Sequence, residues 1–131
     1  MAKPAAKMGD QVVATDTHIV MVPSPGGPVP TPIQLPFAGK ITGQCSTNVL
    51  IAGKGAAVAG STAVNVPPHV PPGGTFQKPP DNRGTVLGGS PTVLINGKPA
   101  ARVGDKVTTC NDPAPLPKGV IVGGGTVLIG P

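Results

Sequence analysis

The stretch Thr92-Val-Leu-Ile-Asn-Gly-Lys-Pro-Ala-Ala-Arg-Val-Gly-Asp105 occurs three times in this chain, with changes. Residues 48–61 read Asn-Val-Leu-Ile-Ala-Gly-Lys-Gly-Ala-Ala-Val-Ala-Gly-Ser. The third copy appears when the chain end, Thr-Val-Leu-Ile-Gly-Pro (126–131), is read on into its beginning, Met-Ala-Lys-Pro-Ala-Ala-Lys-Met-Gly-Asp (1–10). An open solenoid has no need for ends that complete each other. The pattern therefore predicts a closed molecule with pseudo-threefold symmetry.

The three copies resemble the PAAR repeat, whose signature is Pro-Ala-Ala-Arg-x-Gly-Asp. Residues 99–105 match this signature, and residues 4–10 match it with Lys7 in place of the Arg. A Val-Leu-Ile strand and an Asn-Gly turn precede residues 99–105. The middle copy departs from it, because Gly55, Val58 and Ser61 replace the Pro, Arg and Asp. The resemblance covers essentially the whole chain as one domain, residues 1–131, with the third repeat formed by joining residues 126–131 to 1–10.

Membership of this family implies a small conical β-prism and a structural role. Such a protein caps a trimeric (VgrG-like) spike, one copy per three spike chains, in a type VI secretion system or a related contractile injection system. It helps to pierce the target membrane, with transient membrane contact, and it attaches effector proteins. The resemblance also implies a His/Cys-ligated zinc ion near the apex and no enzymatic activity.

The composition independently favours an all-β fold. Among 131 residues there are 20 Gly and 19 Pro, which interrupt every window long enough for a helix. Aromatic residues are almost absent, so the core must come from aliphatic side chains on short strands. Such a thin core favours additional stabilisation by a metal or a partner. We expect one domain of three β-hairpins around an axis.

Each repeat is predicted to contain an incoming strand, a Gly-rich turn and a Val-Leu-Ile strand. The incoming strands are residues 39–43, 84–89 and 119–125, and they lead to Val-Leu-Ile at 49–51, 93–95 and 127–129. β-Branched residues beside glycine turns are typical of hairpins. We expect each Val-Leu-Ile face to be buried against the other two. The Pro-rich segments, such as residues 23–36, are expected to be stiff extended loops.

The net charge of +5 comes from ten scattered cations and five Asp. No Arg–aromatic cluster accompanies them, which argues against nucleic-acid binding. The start of the chain has no apolar signal segment, and no apolar run reaches the length of a membrane helix. The sequence predicts a cytoplasmic protein that leaves only with a machine that does not read cleavable signals.

The candidate metal-ligating residues each follow the turn that ends a repeat, at similar spacings. His18 lies eight residues after Asp10, His69 eight after Ser61, and Cys110 five after Asp105. Threefold symmetry would bring these three side chains together on the axis. Imidazole nitrogens and a thiolate suit tetrahedral Zn²⁺, and iron is a less favoured alternative.

Several assignments stay open at this point. Cys45 is a candidate fourth metal ligand, but a buried free thiol or a disulfide with Cys110 would also account for it. Asp16 is expected to orient His18 from behind. The equivalent turn residues Gly9, Asp10, Gly104 and Asp105 are predicted to be structural, with each Asp capping a turn amide or pairing with the nearby Lys7 or Arg102.

Two other functions compete with the spike tip. One is a small zinc-dependent hydrolase, which would need a vacant metal position and a cleft. The other is a stand-alone metal-binding adaptor. The sequence offers no nucleophile elbow, phosphate loop or Ser–His–Asp arrangement for catalysis, so we expect a structural metal and no catalytic residues.

Overall fold

The structure is a computed structural model that describes residues 2–112 and 114–130. Within these ranges the chain forms strands and irregular segments but no helix. The strands are β1 (Lys3–Pro4), β2 (Gln11–Val22), β3 (Val29–Gly43), β4 (Leu50–Ile51), β5 (Lys54–Gly55), β6 (Thr62–Asn65), β7 (Thr75–Phe76), β8 (Arg83–Val86), β9 (Leu94–Ile95), β10 (Lys98–Pro99), β11 (Lys106–Thr109), β12 (Leu116–Val122) and β13 (Leu128–Ile129). The all-β prediction is confirmed. A third repeat made from the two chain ends predicts that Met1 and Pro131 lie close together, but both fall outside the described residues.

Six strands close into a barrel-like sheet. Their order is β12-β11-β8-β6-β3-β2, and β2 pairs back onto β12. All the pairings are antiparallel. The strands alternate buried and exposed residues, as a half-buried sheet requires. The enclosed core contains Ala6, Val12, Phe37, Ile41, Ala57, Ala63, Val86, Ala101, Val107, Cys110 and Ile121.

Three two-stranded hairpins surround a second core. They are β4–β5, β9–β10 and β13–β1, and the last joins the two ends of the chain. Ile51, Ile95 and Ile129 meet in this core and are only 7–8% exposed. The leucine before each of them is 59–61% exposed. The expectation that the whole Val-Leu-Ile face is buried is therefore wrong, because alternate residues of a strand point to opposite faces.

The hairpins also differ from the prediction in their partners. Each Val-Leu-Ile strand pairs with the Lys-Pro or Lys-Gly strand that follows it, whereas the incoming strand belongs to the barrel. The reason lies in the two-residue turns Ala52-Gly53 and Asn96-Gly97, whose φ angles are 53° and 81°, and 54° and 81°. Two consecutive positive φ angles match the right-handed twist of a tight hairpin.

A ring of three backbone hydrogen bonds separates the two cores. Ala6 N–H donates to Ala101 O, Ala101 N–H to Ala57 O, and Ala57 N–H to Ala6 O, each at 3.0 Å. All three alanines are fully buried. They are the second alanine of each repeat, so the ring marks the pseudo-threefold axis, and it has room only for small side chains.

The turn after each ring alanine is built alike in all three units. A glycine with φ between 94° and 96° precedes an acceptor side chain, as Gly9 precedes Asp10, Gly60 precedes Ser61 and Gly104 precedes Asp105. Each acceptor takes the backbone N–H three residues earlier, at 2.7–3.0 Å. Asp10 and Asp105 also form 3.0 Å ion pairs with Lys7 and Arg102. The barrel strands β2, β6 and β11 begin directly after these turns.

The first Pro-rich segment is not the predicted loop. Val29–Gly43 form one long strand, and from Val29 to Lys40 it pairs with β2. Pro30, Pro32 and Pro36 are separated by even numbers of residues, so their backbone nitrogens lie on the same edge of β3. That edge faces away from β2, and no N–H is needed there for the pairing with β2. Proline is tolerated at such an edge and discourages pairing with another chain. The loop prediction is therefore wrong for residues 29–36, because these prolines lie along the unpaired edge of a strand and do not interrupt its pairing with β2.

Across the described ranges, no helix is long and apolar enough to pass through a bilayer.

Candidate metal centre

Three strands that start at equivalent turns carry the candidate ligands to one place. Asp16 and His18 lie two residues apart on β2, so they share a face. His69 lies in the loop after β6, and Cys110 follows β11 directly. The candidate ligands are thus at the far ends of strands that begin next to the alanine ring.

The four side chains form a compact cluster, with one ligand atom from each within 4.8 Å of all the others. The Asp16 carboxylate is central, with Oδ2 lying 3.4 Å from His69 Nε2 and 3.6 Å from Cys110 Sγ. Cys110 Sγ lies 3.8 Å from His18 Nε2. A tetrahedral zinc ion separates its ligand atoms by about 3.3 Å for an N–O pair and about 3.6 Å for an N–S pair, given the usual bond lengths. These three separations are therefore close to those around a four-coordinate zinc ion, and the cluster could hold a metal ion.

Neighbouring groups orient two of these side chains. Asp112 Oδ2 lies 3.1 Å from His18 Nδ1. A proton on Nδ1 donated to this carboxylate leaves the Nε2 lone pair free toward the cluster. The hydroxyl of Thr109 donates to Asp16 Oδ1, so that Oδ2 remains directed at His69 and Cys110. Asp112 is itself held in place, because its backbone N–H donates to Thr17 O at 2.7 Å and fixes the residue against β2.

His69 is held by a different set of contacts. Asn65 Nδ2 lies 3.3 Å from His69 Nδ1, and the side-chain Oδ1 of Asn65 accepts the Ala38 N–H at 2.8 Å, which fixes the amide orientation. The ring therefore accepts at Nδ1 and donates from Nε2 to Asp16. To hold a metal ion through Nε2, the ring would carry its proton on Nδ1 instead, and the Asn65 amide would have to turn to accept it.

Burial sets the charge of the candidate ligands. Asp16 and His18 are 0% and 1% exposed, and the side chain of His69 is 2% exposed. Burial is the main reason that the pKa of His69 is lowered. The hydrogen bond with Asp16 partly offsets this decrease in the pKa, and the nearby His18 adds to it. Burial, followed by the negative charge of Asp16, raises the pKa of the Cys110 thiol to about 12. At neutral pH the thiol is therefore protonated until a cation takes the proton's place.

This protonation predicts the pH dependence of metal uptake. Binding requires the Cys110 thiolate, so one proton leaves as the ion enters, and affinity should rise with pH throughout the range below the thiol pKa of about 12. We expect zinc affinity to increase about tenfold per pH unit between pH 7 and 8. Isothermal titration calorimetry in buffers of different ionisation enthalpy measures the released proton. The Cys110→Ser variant is the control, and a wild-type affinity independent of pH would contradict the assignment.

Cys45 lies elsewhere. Its thiol is half-buried, contacts Gly43 O at 3.8 Å and packs against the barrel core, and it is not part of the four-residue cluster. Both cysteines are free thiols, so the alternative disulfide is not formed. Sequence reasoning gave Asp16 only a supporting role, whereas its Oδ2 lies among the candidate ligand atoms. The signal was present as the Asp-x-His spacing on a predicted strand, which puts both side chains on one face.

The comparisons with known proteins agree with the repeat architecture. The family model described as "PAAR motif" matches residues 76–131, which include the best-preserved copy and the final Val-Leu-Ile strand. No curated protein matches the chain. Proteins with the PAAR motif are structural spike-tip proteins of secretion systems rather than enzymes. The motif match and the all-β, threefold-repeated fold together make this chain a PAAR-repeat protein.

Proposed function

We propose that this protein is the metal-stabilised, sharpened tip that caps a trimeric spike in a contractile injection or type VI secretion machine. In this role it helps to pierce the target membrane and offers attachment points for effector proteins. It is made in the cytoplasm and leaves the cell with the spike. The chain acts as one PAAR-repeat domain over residues 1–131, whose third repeat joins residues 126–131 to 1–10.

The observation that carries the proposal is the division of the molecule along its axis. The hairpins repeat a threefold arrangement around the alanine ring, whereas β2, β6 and β11 lead away from the ring toward a single cluster of metal ligands. A threefold end suits a trimeric partner. A single site at the convergence of three segments suits an apex.

We propose that zinc, bound by His18, His69 and Cys110 with Asp16 as the fourth ligand, pins this apex. The ligands come from three separate segments, so one ion crosslinks all three. Four protein ligands close the coordination sphere, as in structural zinc sites. Iron is the less favoured alternative, because nitrogen and thiolate ligands in tetrahedral geometry suit zinc.

Binding to a trimeric spike tests the proposed function. Analytical ultracentrifugation or mass photometry of this protein mixed with a purified trimeric spike protein should show one copy per three spike chains. The His18→Ala variant is a useful comparison, because loss of the apical metal should lower thermal stability but leave spike binding at the hairpin end intact. Failure of the wild-type protein to bind the spike, or a ratio of three copies per trimer, would contradict the proposal.

A further inference from the structure

We propose that three leucine–lysine pairs on the hairpins form the docking surface, and that each chain of the trimeric partner presents an apolar recess and a carboxylate to one pair. The pairs are Leu50 with Lys54, Leu94 with Lys98, and Leu128 with Lys3. This inference rests on the proposed function and specifies the chemistry of the partner.

The three leucines share an unusual environment. Their exposed fractions are 59%, 61% and 60%, which makes them nearly identical in three separate units. Each is paired across the hairpin with a small or cyclic residue, namely Gly55, Pro99 and Pro4. No larger side chain on the opposite strand therefore covers the leucine. A single exposed leucine needs no explanation, but one repeated at three equivalent positions does.

The three lysines are equivalent in the same way. Lys54, Lys98 and Lys3 lie directly across the hairpins from Ile51, Ile95 and Ile129, and all three lysines are exposed. None of the carboxylates in the described ranges pairs with them. Asp10 and Asp105 pair with Lys7 and Arg102, Asp16 and Asp112 lie at the metal cluster, and Asp81 accepts the Arg83 N–H. The hairpin end therefore presents uncompensated positive charge.

The middle repeat keeps the leucine and the lysine although it has lost much of the Pro-Ala-Ala-Arg-x-Gly-Asp signature. In that copy the Pro, Arg and Asp of the signature have been replaced, but Leu50 and Lys54 remain. Lys7 and Arg102 have a folding role through their Asp partners, whereas among the described residues the side chains of Leu50 and Lys54 form no hydrogen bond or ion pair. Three copies of one exposed apolar–cationic pair match three copies of one complementary surface. Among partners, a homotrimer provides this arrangement.

The hairpin geometry indicates how the partner makes contact. Leucine and isoleucine alternate along the strand, and lysine lies across from isoleucine, so the leucine and lysine of one unit belong to opposite faces. Each partner chain would therefore cover the exposed leucine on the outer face and place its carboxylate at the exposed lysine, because the isoleucines beside that lysine are buried in the second core. Opposite charges of this kind accelerate docking and make it salt-dependent.

The experiment measures binding of the purified trimeric spike protein to matched variants by biolayer interferometry at 50 and 500 mM NaCl. Replacing all three leucines by glutamine should weaken binding about 1,000-fold, from about tenfold for each leucine that loses its apolar contact. Leu116→Gln is the control, because Leu116 is also exposed but lies on β12 opposite Thr109, beside the metal cluster. Since all these side chains are exposed, the melting temperatures should stay unchanged.

A charge-reversal series tests the lysines separately. The triple variant Lys3→Glu, Lys54→Glu, Lys98→Glu should bind more weakly than wild type at 50 mM NaCl and lose the decrease of affinity with salt. The variant Lys40→Glu, Lys78→Glu, Lys118→Glu makes the same change in net charge at exposed lysines elsewhere and should bind nearly as wild type.

The outcomes separate this inference from the proposed function. Wild-type binding together with unimpaired binding by the leucine or the lysine triple variant would overturn the paired docking surface and leave the spike-tip function standing. Equal losses in the scattered-lysine control would also overturn it, because net charge alone would then explain the effect. No binding by the wild-type protein would overturn both.

Discussion

The His18→Ala variant is expected to unfold at a midpoint roughly 15 °C below that of the zinc-loaded wild-type protein. A ligand present at about 1,000 times its dissociation constant stabilises the native state by about 4 kcal/mol. In a chain of this length that free energy corresponds to a shift of between ten and twenty degrees, as a rough guide. The effect is large because an ion bound by the cluster would join β2, the loop after β6 and the end of β11 at one point.

Chelation separates loss of the metal from loss of the histidine itself. Differential scanning calorimetry should show that a strong chelator lowers the wild-type midpoint by a similar amount but leaves the midpoint of His18→Ala nearly unchanged. Cys45→Ala is the matched control, because it removes the thiol that lies outside the cluster and should keep the full response to chelation. A wild-type midpoint that does not respond to chelation would contradict a stabilising ion.

The second large effect is expected from truncation after Gly125. This change removes β13, leaves β1 without its partner and takes Ile129 out of the second core. It also removes the carbonyls that accept the Ala5 N–H, at 2.8 Å, and the Ser90 hydroxyl, at 2.9 Å. The loss should be about 5 kcal/mol, by comparison with large core deletions. Because small domains have total stabilities of only about 5–15 kcal/mol, the truncated chain should be largely unfolded by circular dichroism.

A circular permutant supplies the control for the truncation. Direct fusion of Pro131 to Met1 would connect Ile129 to Lys3 through four residues, where the other hairpins use two, and the new ends can be placed at the exposed Gly26-Gly27 turn. This permutant should fold and bind zinc like the parent chain. An unfolded permutant, or a truncated chain with full stability, would contradict a third repeat made from the two ends.

The repeat carried most of the information about the fold. Glycine and proline content excluded helices, and the phased Val-Leu-Ile motifs predicted short strands around an axis. The phase of His18, His69 and Cys110 relative to their Gly-Asp or Gly-Ser turns predicted a shared site, and the structure places these three side chains together. The three side chains converge because each of them follows a turn of the same geometry.

Local pairing was less predictable, for identifiable physical reasons. Residues 29–36 look like a loop because three prolines interrupt them, yet all three fall on the unpaired edge of β3, where no N–H is required. The hairpin partner of each Val-Leu-Ile strand depends on the positive φ angles at Ala52-Gly53 and Asn96-Gly97. An Ala-Gly pair gives little advance sign of such a turn. The position of Asp16 depends on the register of β2, which sequence spacing suggests but tertiary packing decides.

Anomalous diffraction at the zinc absorption edge, from crystals of zinc-loaded protein, tests whether one ion joins the three segments that form the apex. We expect a single strong peak surrounded by Asp16 Oδ2, His18 Nε2, His69 Nε2 and Cys110 Sγ at zinc bond lengths of about 2.0–2.3 Å. No peak at this cluster, or a peak bound by other residues, would contradict a metal-pinned apex.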